Sequence, residues 1–571
     1  MRYVLAFCAL GVALVVSAGA AGGSYAPPSG LRAFLLTPNE APLPFYPRTP
    51  AFTWSPVPMR GGTYDFQLAT SRSFGSSSLL WDYAGLPIPA VSVNHQLPWM
   101  TGNPYALWAR VRWVGPHGKT FTQWSKPFGF NMRWLDSDVA QQLPAPVGLI
   151  RWKPIEGATR YEVLYTDLHP TVSFQTTTNV ADEREFFTLH QQLGWGATIH
   201  WRVRAIRFID DKDLLKNGIP RASYGPWSPT FTTVNPPQSI GQLKPTDTVS
   251  DVWDQNGQAA TPHDLTPGFA WTPAAPVVTS VPSFGSSLYR VYIFTDNHCV
   301  NQVFAGSLVG SPAFAPRTQG GPLALPQDTK SLLDWTGPPY LVKTGPEGNA
   351  FDATGHKVLP NELPGSQVGQ SSSTSADGST STGQDANVDL WDSGWPSGRY
   401  YWTVIPVTVE TMGVPDPKKP DAAQPIAYQD TAVAQDQCEA GNVMSFGKVS
   451  QPVVTSSATP FVSGLAPNGR VVASASRVPT LHDSPLIAWL PAVGATTYQV
   501  QLSHTSYPWT TQWSQTTPAT SIVLPLSPRN VGTWYYRVRG VNPALPSGAQ
   551  AMTWSSPVQI RITGDQFKVA K

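Results

Sequence analysis

Few residues in this 571-residue chain have the types and spacing that could support chemistry. Cys299 and Cys438 are the two cysteines outside the N-terminal apolar run, and their even number in an exported chain points to one disulfide. Two free thiols, or a metal site that includes His298, are the rival readings; the ligands are too few for a zinc centre. Asp385, Asn387, Asp389 and Asp392 resemble the opening of a calcium loop, but Leu390 stands where such a loop turns on glycine and Pro396 where it needs a bidentate glutamate. Asp210, Asp211 and Asp213 read as a solvated acidic loop. No Gly-x-Ser-x-Gly elbow, His-Glu-x-x-His helix or phosphate-binding glycine loop occurs, so the expectation is no catalytic residue, no metal and no cofactor. What stands out is tryptophan, with 22 copies. Trp99, Trp195, Trp395, Trp509 and Trp513 lie in or beside loops, where an indole can stack on a sugar or anchor a protein, or pack between domains.

Composition says which elements must position these groups. Charged residues make up 13% of the chain, against roughly 25% in ordinary soluble domains. With 58 prolines and 47 glycines the sequence suits short strands and many turns, and disfavours helices. A net charge of +2 leaves no nucleic-acid footprint.

The N-terminus has a positive Arg2, an apolar run from Val4 to Val16 and an Ala18-Gly19-Ala20 cleavage site, the pattern of a secretory signal peptide spanning residues 1–20. The run is short of the roughly 20 residues that cross a bilayer, and no later stretch is long enough. No Asn-x-Ser/Thr sequon occurs, which favours a bacterial source. The expected place is the extracellular space or the cell surface.

An internal repeat organises the rest. Trp-x-Pro recurs at Trp54, Trp152, Trp271 and Trp489, each followed by an alternating strand that opens on Tyr64, Tyr161, Tyr289 or Tyr498. A second alternating strand follows: Leu107 to Arg112, Ile199 to Arg204, Tyr400 to Ile405 and Trp534 to Arg539. Each copy closes on a Ser/Pro segment, at Trp124-Ser125-Lys126-Pro127, Trp227-Ser228-Pro229, Ser450-Gln451-Pro452 and Trp554-Ser555-Ser556-Pro557. Period-two alternation sends one set of side chains into a core, and Trp54, Trp152, Trp271 and Trp489 belong to it.

In this order the elements resemble the fibronectin type III domain, in four divergent copies. Of the positions where the family's corner tyrosine would fall, only Tyr400 keeps it; Leu107, Ile199 and Trp534 do not. The resemblance implies an all-β chain of four immunoglobulin-like sandwiches at 27–134, 140–235, 240–456 and 460–565. It also implies a role in spacing, adhesion or recognition, with no catalytic residues. The expected partner is an envelope or extracellular protein, or a polysaccharide, met by a monomer.

The third copy is about twice the size of the others, with insertions near 310–388 and 412–438. Ser371 to Gly383 is Ser, Thr or Gly at 11 of 13 positions and reads as a disordered linker. Outward positions of the first and fourth copies carry Asp65, Gln67, Arg110 and Arg112, or Gln499, Gln501, Arg537 and Arg539, a face that reads as solvated. The third copy carries Tyr292, Phe294, Tyr401, Thr403 and Ile405 there. An apolar outer face is either covered, which the 310–388 insertion would do, or left open to bind a partner.

Overall fold

In the computed structural model the strands form four two-sheet units and one further small sheet of Lys343–Thr344, Ala350–Phe351 and Lys357–Val358. The described residues are, with short gaps, 25–183, 198–249, 268–273, 288–315, 398–411, 426–448, 480–541 and 554–563, together with backbone strand pieces between 343 and 384. The signal-like segment, Trp195, Trp395, Asp210 to Asp213 and the acidic stretch from Asp385 to Asp392 lie outside them.

The first unit is a three-plus-four sandwich. Ser29–Phe34, Ala51–Ser55 and Ala90–Ser92 form one sheet. Leu79–Leu86, Thr63–Ala69, Leu107–Val114 and Phe128–Phe130 form the other. Alternation drives this arrangement: Leu107–Val114 buries every second residue, and Leu107, Ala109, Val111 and Trp113 meet Phe52, Trp54 and Phe66 in the core. The second unit repeats the plan, with Leu149–Trp152 central in its small sheet and Arg160–Tyr165 paired to Thr198–Phe208 in its large one. The third pairs Leu288–Phe294 with the long strand Gly398–Thr411. The fourth pairs Thr497–Ser503 with Gly532–Val541.

Trp54, Trp152, Trp271 and Trp489 are all buried. Each meets the tyrosine of the following strand edge-to-face, with ring centroids 5.4, 5.4, 5.5 and 5.5 Å apart. Where the chain turns after Trp-x-Pro, the tyrosine hydroxyl accepts a backbone N–H, from Val57 to Tyr64 (3.1 Å) and from Ile155 to Tyr161 (2.9 Å). One ring thus fills the core and satisfies a donor that the turn would otherwise strand.

The units are tandem in sequence but not in space. The small sheet of the fourth packs on that of the first, with Leu486, Ala488 and Val523 against Phe34, Ala51, Ile88 and Ala90. Ser92 Oγ donates to the Ser521 carbonyl at 2.6 Å, and Thr517 Oγ1 donates to Asn94 Oδ1. In the same way the small sheets of the second and third face each other through Leu149, Val180, Ala270, Ala313 and Ala315. There Asp182 accepts the Ala315 N–H at 2.7 Å. The first and second units share one continuous apolar core. The spatial order is therefore fourth, first, second, third, and each junction buries an apolar surface.

One expectation needs correction. Ser371 to Gly383 does not read out as featureless linker: Gln370–Thr374 and Thr380–Gln384 pair as an antiparallel hairpin, which joins the large sheet of the third unit through Thr374 and Gln429. Threonine and serine tolerate the pleat. The apolar outer face of the third unit packs against the end of the 412–438 insertion and the residues after it. Of the 310–388 insertion only short backbone strands are described beyond residue 315.

Candidate functional site

The outer faces of the large sheets carry the polar architecture of the molecule, and they are not simply solvated. In the first unit Arg110 lies between the rings of Phe74 (4.2 Å) and Trp124 (4.4 Å). Arg112 lies between Trp124 (4.7 Å) and Phe121 (5.1 Å). The cross-strand partners hold the guanidinium planes: Gln67 Oε1 accepts from Arg110 at 2.9 and 2.7 Å, and Asp65 pairs with Arg112 at 2.9 Å. Both pairs are the residues that sheet register sets opposite each other. The fourth unit builds the same ladder from Trp509, Arg537, Trp554 and Arg539, with centroid distances of 4.1, 4.4 and 4.4 Å. Gln501 and Gln499 are its acceptors. The second uses Tyr224, Arg204 and Trp227, with Glu162 as the acceptor of Arg204. Burial under these rings, and then the charge of Arg539, draws the Arg537 guanidinium below the ordinary arginine range.

The serine after each ladder tryptophan locks it in place. Ser125 exchanges bonds with Val111, its N–H donating to the carbonyl at 2.8 Å and its Oγ accepting the Val111 N–H at 3.1 Å. Ser228 with Val203 and Ser555 with Val538 repeat both bonds. Trp554→Ala should therefore lower the stability of the fourth unit by about 2 kcal/mol, since it removes two cation–π contacts. Urea unfolding followed by Trp fluorescence checks this, and a change below the error of the fit would refute it.

The third unit has neither the Arg-x-Arg strand nor the closing tryptophan, and its face is covered differently. Cys299 and Cys438 are joined as a disulfide, with Cα atoms 6.1 Å apart. This ties the short helix Ala434–Glu439 over Tyr292, Phe294 and Ile405. Thr403 Oγ1 donates to the Asn442 carbonyl at 2.7 Å beside it. The chain reaches this place because Ile426–Asp430 runs back along Gly398–Thr411, which returns Cys438 to the end of the sheet where Cys299 lies.

The three described loop tryptophans, Trp99, Trp509 and Trp513, do not form one site. Trp99 is buried between the first two units: its Nε1 donates to the Pro47 carbonyl at 2.8 Å, its backbone N–H donates to Ser223 Oγ at 2.8 Å, and it meets Trp134 edge-to-face at 5.5 Å. It is closed to an outside ligand, so packing rather than recognition is its place. Trp509 lies against Arg537 in the ladder, and Trp513 packs against the core of the fourth unit. The most exposed aromatic nearby is Tyr507, which is 91% exposed.

A site that sequence reasoning missed lies where the first, second and fourth units meet. Arg207 is buried there; its Nε and Nη1 donate to the carbonyls of Leu97 (2.5 Å) and Gly157 (2.9 Å). Burial, and then repulsion from Arg48, lowers its pKa to about 10. Arg48 is buried beside Glu156 at 3.0 Å and also reaches Thr520 of the fourth unit. Next to Arg48 opens a cavity of about 480 Å³. No motif announces this site, because its residues come from four separate stretches of the chain.

Among the described residues no group of three His, Cys, Asp or Glu side chains could hold a metal ion, and no helix is long and apolar enough to cross a membrane.

The paired small and large antiparallel sheets define fibronectin type III-like sandwiches. No family model matches the chain, and no curated protein matches it in sequence. Among solved structures, the FN1–FN3 domains of chicken CNTN1 align with 51% of this chain and 88% of their own, at 12% identity and a TM-score of 0.16. The chicken interferon gamma receptor alpha chain aligns with 37% of this chain and 100% of its own, at 8% identity and a TM-score of 0.17. At such scores the strand order, not the likeness, carries the assignment of fold.

Proposed function

We propose that the protein is a secreted, non-catalytic binding or spacing protein of the extracellular space or cell envelope, from a bacterial source. The observation that carries this reading is the set of buried junctions. They fix the fourth unit on the first, the first on the second and the second on the third, so exposed loops are displayed at set distances. Domains in one chain otherwise move freely unless their interfaces are large and apolar. The signal-like N-terminus and the disulfide agree with an oxidising compartment.

A second reading is a carbohydrate-binding accessory protein working beside a separate polysaccharide-degrading enzyme. The exposed ring of Tyr507, next to Trp509, favours it. Both are tested by adding the labelled chain, processed after Ala20, to envelopes of the producing organism. Saturable binding that soluble glycans do not compete supports the first reading, and competition by one glycan supports the second. Absence of saturable binding overturns both.

A further inference from the structure

We infer that the cavity at the junction of the first, second and fourth units is a binding site for a small aliphatic monocarboxylate. At about 480 Å³ the cavity falls within the roughly 300–1,000 Å³ range of small-molecule sites. Its walls are aliphatic: Leu35, Leu36, Leu43 and Leu135 come from the first unit and the stretch after it, and Leu490 from the fourth. No aromatic ring lines it, so it offers neither a sugar nor a base a stacking partner.

The polar groups at its edge select one negative charge. Glu40 is occupied, its two oxygens accepting the backbone N–H groups of Leu35 (2.8 Å) and Leu36 (2.6 Å). Glu156 Oε1 accepts from Arg48 Nε at 3.0 Å. Arg48 spends Nη1 on Thr520, and its Nη2 has no partner among the described residues. The Lys153 ammonium has none either, and it lines the same cavity from the second unit. The lining thus holds two cations and two carboxylates, but Glu40 is spent on backbone N–H groups and Glu156 on Arg48, so Lys153 is left without a carboxylate beside the apolar cleft. A dianion is disfavoured, because its second charge would meet Glu40 and Glu156. The ligand this fits is a carboxylate head on an unbranched or branched aliphatic body.

Calorimetric titration of the full mature chain with decanoate tests the assignment, with decanol and decanedioate as controls. One decanoate should bind per chain, and decanol and decanedioate at least about tenfold more weakly, as loss or duplication of one charge-assisted contact requires. Lys153→Met should weaken decanoate by about tenfold or more and leave decanol unchanged. Ala41→Trp, at an exposed position on the rim, should abolish binding by filling the cleft while leaving the unfolding midpoint in place. Absence of decanoate binding overturns the inference. So does binding that survives both substitutions, which would be adsorption elsewhere.

Discussion

Gly157→Ala is expected to force the first and second sandwiches apart. Gly157 sits at φ +83°, and a Cβ there would lie 1.9 Å from the Pro47 carbonyl oxygen, 2.7 Å from its carbonyl carbon and 3.3 Å from Trp99 Nε1. Ordinary contact would need well over an ångström more, and the obstacle is backbone, which no rotamer change can move aside. The shift would also break neighbouring bonds, since the Pro47 oxygen accepts from Trp99 and the Gly157 oxygen accepts from Arg207. A buried guanidinium that loses an acceptor is costly. Strain at this φ and the enforced separation together should cost about 3 kcal/mol or more. In calorimetry the shared transition of the first two units should split, and amide exchange at the Trp99 N–H should accelerate. Gly118→Ala is the control: φ is +70° there with nothing within 4 Å, so only backbone strain of about 1–2 kcal/mol applies. If Gly157→Ala is as mild as Gly118→Ala, the close approach does not hold the units together.

Cys438→Ser should be the second large loss, confined to the third unit. The disulfide closes 139 residues, which in the chain-entropy account is worth about 4–5 kcal/mol. The covering helix has six residues, too few to persist alone. Once released, it leaves Tyr292, Phe294 and Ile405 facing water. The variant should bind a hydrophobic dye in the absence of denaturant, and its lowest urea midpoint should fall. The native protein under reductant should match it. Unchanged dye binding and midpoint would show that the helix stays down without the bond.

These two sites differ in how much of them the sequence shows. Cys299 and Cys438 are visible as an even pair in a chain with a signal-like N-terminus, and the unusual apolar outer face of the third copy is visible by comparison with its siblings. The six-residue helix that lies over Tyr292, Phe294 and Ile405 was not legible in the sequence. That helix has no side-chain cap and no apolar periodicity of its own. The ladders were half legible. Arg-x-Arg and Trp-Ser-x-Pro both recur, yet alternation alone places the arginines outward and so reads them as solvated. Only the register of Arg110 and Arg537 opposite Gln67 and Gln501, with the tryptophan folded over them, shows a half-buried stack. The third copy lacks both halves of the motif and has the disulfide-tethered helix instead, so the two devices cover equivalent faces.

Trp99 shows the limit most directly. From its surroundings in sequence it is a loop indole that could meet a ligand; in space Gly157, Ser223 and Gly225 enclose it. The sequence by itself determined the sandwiches, because strand alternation, Trp-x-Pro turns and paired aromatics act over a few neighbouring residues. Only the tertiary structure decided that the fourth sandwich returns to the first, and that Arg48, Lys153 and Leu490 share one cavity. Those contacts join residues hundreds of positions apart, and their energies depend on the shape of opposing sheet faces, which no local pattern encodes.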